Sequence, residues 1–196
     1  MQKLVIATKN QGKVKEFKEI LGSYFDVVTA SDVGFNDDVE ETGSTFEENS
    51  YLKAKAIYDF CKLPCVADDS GLMVDALNGE PGINSARYAG VHGDDKANYT
   101  LLLEKLKGEK NRKAKFVTAL TLILDGKVIV THGETLGEIL LEPMGSGGFG
   151  YDPVFYSYDL EKSFGLATHD EKNRVSHRRR AIDALLLKLN ELKPHD

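Results

Sequence analysis

The opening of the chain restricts the fold most. "KLVIAT" (Lys3–Thr8) is a short apolar run of the kind a buried strand needs. "GKVKEFKEILG" follows, with Val14, Phe17, Ile20 and Leu21 at helical spacing and Gly22 as a stop. "FDVVTA" then returns to strand character. Strand, loop, helix and strand in so short a stretch begin an α/β fold.

The rest of the chain extends that pattern. "ETGSTFEENSYLKAKAIYDF" reads as a helix capped by Ser44 or Thr45, with Glu47 and Glu48 in its first turn and Phe46, Ala54, Ile57 and Tyr58 on its inner face. "PCVAD" is another strand. "DDKANYTLLLEKLKG" is a helix capped by Asp94, with leucines at 101–103 and 106 and Gly108 at its end. "AKFVTALTLILDGKVIVTHGETLGEIL" predicts an antiparallel pair turning at Asp125-Gly126. "SHRRRAIDALLLKLNELK" is an amphipathic helix with a basic start. A chain of 196 residues, 41% hydrophobic, can build a real core as one domain or as one domain of two lobes. There is no internal repeat, and "GSGGFGYDP" is the only break in composition.

Charge and cysteine usage narrow the function classes. The net charge of −6 argues against broad nucleic-acid binding, though not against a local basic cleft. Cys61 and Cys65 have neither CxxC nor zinc spacing, so a reducing compartment is the simpler reading. "MQKLVIATKN" turns polar too soon for a signal peptide, and no run of about 18 apolar residues could cross a membrane. A soluble cytoplasmic protein is expected.

Several stretches carry candidate chemistry. "CVADDSGLMV" places Asp68 and Asp69 side by side after a buried strand, and such a pair is costly unless countered by cations or a metal. "VEETG" brings Glu40 and Glu41, so four carboxylates sit at strand ends or in loops. Mg²⁺ needs one or two protein carboxylates, the remainder being water and phosphate. "ATKNQGKVKE" leaves a strand and opens a helix, where free N–H groups attract phosphate. Thr8 and Asn10 can bond phosphate oxygens and Lys13 can neutralise them, although P-loop spacing is missing. Lys53 and Lys55 lie on the helix after the acidic loop; one of them could reach a phosphate chain, but on sequence alone a solvated helix face is the better reading.

Two later stretches suit a flat ligand. In "GGFGYDP" the glycines allow close approach, Phe149 offers a ring for stacking, and Asp152 can accept base N–H groups. In "EKNRVSHRRR", Lys172, His177 and Arg178 bring donors that would favour a 6-oxo over a 6-amino purine. Basic residues at a helix start oppose the macrodipole, which suggests a use beyond structure. His92, His132, His169 and His195 show no ligand spacing.

Together, "ATKNQGKVKE", "EETGSTFEENSYLKA", "ADDSGLMVDALNGEPGINSARYAG", "GGFGYDPVF" and "KNRVSHRRRA" resemble the inosine triphosphate pyrophosphatase family, the XTP/dITP diphosphatases, in order and over Ala7 to Ala181. The resemblance implies an α/β fold: an elongated mixed β-sheet flanked by helices, in two lobes with a substrate cleft between them, forming one domain over residues 1–196 and a homodimer. It implies that Thr8, Lys9, Asn10, Gln11, Gly12 and Lys13 bind the phosphates with Lys53. Asp69 would be the general base, with Asp68 beside it and Ser70 touching substrate. Mg²⁺ would sit on Asp69 and on Glu40 or Glu41. Phe149, Gly150, Tyr151 and Asp152 would hold the base with Lys172, His177 and Arg178. Lys9 and Ser50 depart from the family's usual residues.

The expected activity is Mg²⁺-dependent cleavage of ITP, dITP or XTP between the α- and β-phosphates. Products would be the nucleoside monophosphate and pyrophosphate, with neither nucleic acid nor membrane as partner. Two rivals are a Maf-type pyrophosphatase for dTTP, UTP or modified pyrimidine nucleotides, and a non-catalytic nucleotide- or RNA-binding module using "HRRR". The charge of −6 and the lack of RNP-like aromatic runs count against the second.

Overall fold

The computed structural model describes residues 1–192. Lys193 and His195 lie outside the described residues. The chain forms two compact units: Met1–Asp69, Thr118–Gly133 and the stretch from Arg179 make the first, Ser70–Val117 and Glu134–Arg178 the second.

In the first unit, β1 (Lys3–Ile6) leads to α1 (Gln11–Leu21) and β2 (Asp26–Thr29). β1 and β2 pair in parallel, Lys3 opposite Asp26 through Ile6 opposite Thr29. α2 (Phe46–Cys61) follows a long loop, and β3 (Cys65–Val74) then pairs with β1 in parallel. Alternation along the strands sorts the core into two faces. Leu4, Ile6 and Val66 pack with Val14, Phe17, Ile20 and Leu21 of α1. Val5, Ala7, Cys65 and Ala67 pack with Ala54 and Ile57 of α2. Each fully buried Leu, Ile or Phe contributes about 1.5–3 kcal/mol.

In the second unit, α3 (Asp95–Lys105) sends Leu102 and Leu106 into a core with Leu72, Val74, Phe116, Phe155 and Phe164. β4 (Lys113–Leu124) and β5 (Lys127–Ile139) contribute residues to both units and are joined at Asp125-Gly126, where φ is 50° and 77°. That is the left-handed turn expected of a two-residue hairpin. β6 (Phe155–Ser157) and β7 (Lys162–Ser163) complete a mixed sheet in the order β2-β1-β3-β4-β5-β6-β7. The mixed sheet with flanking helices is the architecture that the family resemblance implied.

Two boundaries differ from the sequence reading. β3 does not stop at Asp68 but continues to Val74. The last helix is preceded by a separate α4 (His169–Val175), and α5 runs His177–Glu191. Thr168 and Glu171 form a reciprocal capping box that starts α4, and Ser176 separates the two helices. No helix among the described residues is long and apolar enough to cross a membrane.

Candidate active site

Asp68 and Asp69 are the fourth and fifth residues of β3, in mid-strand rather than at its tip. Consecutive strand residues face opposite ways, so the pair is split between the two sides of the sheet. Asp68 lies on the Val66 side, where α1 packs, and its Oδ2 is 3.1 Å from Lys13 Nζ. Asp69 lies on the Ala67 side, where α2 packs, and its Oδ1 is 3.8 Å from Lys53 Nζ. Each buried acid therefore has a lysine within ion-pair distance, and the charges of Asp68 and Asp69 both act on Lys53. Among the influences on Asp69, the charge of Asp68 ranks last.

The loop before α1 places the phosphate candidates unequally. Asn10 caps α1, its Oδ1 accepting from Lys13 N at 3.2 Å. Thr8 Oγ1 accepts from Asn10 N at 3.1 Å. Gln11 Nε2 reaches Lys9 O at 3.5 Å, and Gly12 lies in the first turn of α1. Lys9 turns to Asp38, 2.6 Å away, and to the Asn36 carbonyl. Lys13 alone of the two lysines reaches the acidic pair.

The acidic loop is fastened to the start of α2. Gly43 N donates to Asn49 Oδ1 at 2.8 Å and Ser44 N to Glu48 Oε2 at 2.7 Å, while Thr45 Oγ1 caps the helix. This holds half-buried Glu41 with Oε1 at 2.9 Å from Lys53 Nζ. Glu40 faces solvent. Lys53 and Lys55 separate as helix geometry demands. Lys53 is mostly buried beside Glu41 and Asp69, and Lys55 pairs with Asp59 in solvent. Ser50 is buried, its hydroxyl bonded to Thr121 Oγ1 at 2.6 Å.

Burial dominates the titration of Asp69. It pushes the carboxyl up to about 6; Lys53 opposes this, Glu41 adds to it, and Lys13 and Asp68 contribute less. Burial works against the charge on Lys53, but Asp68, Glu41 and Asp69 outweigh it and raise its pKa. Asp69 Oδ2 is buried and accepts no hydrogen bond among the described residues. An anionic oxygen left in that state is what a divalent cation would complete. No group of three or more His, Cys, Asp or Glu side chains able to hold a metal forms among the described residues. The donor set fits Mg²⁺ on Asp69 and Glu41, since water and phosphate can fill its other positions.

The aromatic cluster belongs to the second unit. Gly148 has φ of +71°, and a Cβ there would collide with the Asp152 carboxylate. That carboxylate accepts from Phe149 N at 3.0 Å and from Lys172 Nζ at 2.5 Å. Lys172 Nζ lies 4.2 Å from the centre of the half-buried Phe149 ring. The Arg178 guanidinium is 5.9 Å from the same centre, and Nη2 donates to Ser70 Oγ at 3.3 Å. His177 stacks on Phe116 with centroids 5.0 Å apart. Lys172, Asp152, His177 and Arg178 are all buried. Such an arrangement offers a stacking face beside buried cationic donors.

Tyr151 differs from its neighbours. Its ring is in the core and its hydroxyl donates to Ser85 O at 2.7 Å. Burial drives its pKa upward. The sequence reading placed Tyr151 with the base-holding residues; the structure gives it a bracing contact. The "SARYAG" stretch is likewise structural in its contacts. Ser85 Oγ accepts from Leu72 N and donates to Gly82 O, and Asn98 bonds Ala86 O and Ala89 N. Sequence reasoning also missed Asp95, which accepts from Gly150 N at 2.9 Å. Its position one residue after the cap gave no sign of this.

A family model described as the Ham1 family matches residues 4–188. The chain is similar to a dITP/XTP pyrophosphatase of Bacillus subtilis, 47% identical over 189 residues, covering 94% of this chain and 96% of that one. It is 46% identical over 195 residues to a protein of the same name from Clostridium perfringens, covering 94% and 96%. Among solved structures, the Ham1 protein of Staphylococcus aureus superposes with a TM-score of 0.88 at 44% identity, over 98% of this chain and 100% of that one. A HAM1 protein from Coxiella burnetii gives 0.88 at 36% identity, over 97% and 100%.

Proposed function

The chain belongs to the Ham1 family, and from that premise we propose that it hydrolyses ITP, dITP and XTP to the monophosphate and pyrophosphate. In the cell this would remove deaminated purine nucleotides from the pool. The observation that carries the reading is the split acidic pair, Asp68 facing Lys13 and Asp69 facing Lys53, with one Asp69 oxygen left to complete.

Asp69 and Glu41 would hold Mg²⁺, which when bound offsets charge on the phosphoryl oxygens. Without metal, burial raises the Asp69 carboxyl to about 6; a bound cation would lower it again, and Asp69 would then orient the attacking water or take its proton. Lys13 and Lys53 supply positive charge for the triphosphate, and the start of α1 supplies N–H donors. Phe149 stacks on the base, while Lys172 and Arg178 donate to a 6-oxo group. A 6-amino group would set donor against donor there, which disfavours ATP.

The same reading makes the protein a cytoplasmic homodimer. Leu141 and Leu166 are exposed and apolar, surface that a second copy could cover, and Cys61 and Cys65 are both free thiols. A light-scattering mass of one chain would overturn the dimer.

The activity is tested by incubating the protein with ITP, dITP, XTP, ATP and dTTP and Mg²⁺, then measuring monophosphate and pyrophosphate. Release from the three oxopurine substrates in preference to ATP and dTTP is expected. Preference for dTTP, or orthophosphate as the product, would refute the proposal.

A further inference from the structure

The backbone N–H groups of Phe149 and of Gly150 after it each donate to a carboxylate. Asp152 Oδ2 accepts the Phe149 N–H at 3.0 Å. Asp95 Oδ2 accepts the N–H of Gly150 at 2.9 Å, across 55 residues of chain. Asp95 is not needed to cap its own helix. Asp94 does that, its Oδ1 accepting from Ala97 N at 3.1 Å. The residue after Gly150 is also fixed, since the Tyr151 hydroxyl bonds Ser85 O. The glycines around Phe149 have positive φ and no side chains of their own to brace the loop. The tilt of the ring therefore depends on external anchors.

We propose that Asp95 is a positioning residue for base discrimination: its bond to Gly150 N–H sets the Phe149 ring against the donors that select an oxopurine. The inference rests on the function proposed above. A loop free to tilt would still admit a nucleotide, but the base would no longer meet the donors beside Phe149 in register. Discrimination falls while hydrolysis continues, because the bond that Asp95 accepts comes from the loop carrying Phe149.

The test compares Asp95→Ala with Asp95→Asn in the full chain, using ITP and ATP at saturating Mg²⁺. Both variants lose the negative charge at the start of α3, so they share any cost to the helix. Only Asn keeps an oxygen for the Gly150 N–H. Asp95→Ala is expected to lower the ITP-to-ATP ratio of kcat/KM about fivefold, chiefly through the KM for ITP, as the loss of one hydrogen bond implies. Asp95→Asn should restore most of the ratio. Equal ratios in the two variants, or an unchanged ratio in Asp95→Ala, would overturn the proposal even if melting temperatures fell. If the parent itself failed to hydrolyse ITP, the functional reading would fail first and this inference with it.

Discussion

Asp68 and Asp69 are neighbours in β3, yet Asp68 meets Lys13 at 3.1 Å and Asp69 approaches Lys53 at 3.8 Å on the opposite face. Strand alternation gives each member of an adjacent acidic pair a different nearest lysine. The two acids should therefore respond differently to substitution.

Asp69→Asn should reduce ITP turnover by at least about a hundredfold, the usual scale for loss of a general base. Circular dichroism should show an unchanged fold, because Asn fills the same space. Turnover of ITP at the parent rate would remove Asp69 from the reaction.

The same substitution has a pH signature in metal-free protein. The Asp69 carboxyl sits at about 6 in the folded chain against an ordinary 3.8, so the folded state favours the neutral form. The stability this confers is present below about 3.8 and lost as pH rises through about 6. In chelator, Asp69→Asn should gain up to about 3 kcal/mol over the parent at pH 7, and the gap should close near pH 4. Urea unfolding at the two pH values measures it; a gap independent of pH would contradict the assigned burial.

Glu41 and Glu40 should separate in a Mg²⁺ titration of activity. Glu41 shares Lys53 with Asp69, while Glu40 faces solvent. Glu41→Gln should raise the half-saturating Mg²⁺ concentration at least about tenfold, the effect expected when a ligand is lost. Glu40→Gln should change it little. The reverse ranking would move the metal to the other acid.

Lys13→Ala should act on binding and stability together. It removes the cation 3.1 Å from buried Asp68, which costs about 3 kcal/mol. The KM for ITP should rise more than kcat falls. Unchanged kinetic constants would exclude Lys13 from the site.

Phe149→Ala should raise the KM for ITP about tenfold by removing the stacking face. It also strips Lys172 of the ring 4.2 Å away. Orthophosphate production from a phosphate-only probe such as tripolyphosphate is the control: any such activity should be indifferent to Phe149.

Much of this was legible in the chain. The Val14, Phe17, Ile20 and Leu21 spacing pointed to α1, Asp94 was a recognisable cap, and of Ser44 and Thr45 the structure uses Thr45. The extension of β3 through Asp68 and Asp69 was not legible, because Asp is disfavoured in strands and the lysines that make it tolerable lie on distant helices. The short α4 was missed although Thr168 and Glu171 carry its capping box, since seven residues give little periodicity to read.

The sequence by itself determined the element types, the order of the motifs and which residues could do chemistry, because those follow from local propensity and spacing. The tertiary structure alone decided that Glu41 rather than Glu40 shares Lys53 with Asp69, that Lys53 is buried while Lys55 is not, and that the Tyr151 hydroxyl bonds Ser85 O while the Phe149 ring stays half-buried. These outcomes depend on distance and burial between segments far apart in the chain. Coulomb attraction and desolvation act through space, and no local pattern of residues encodes them.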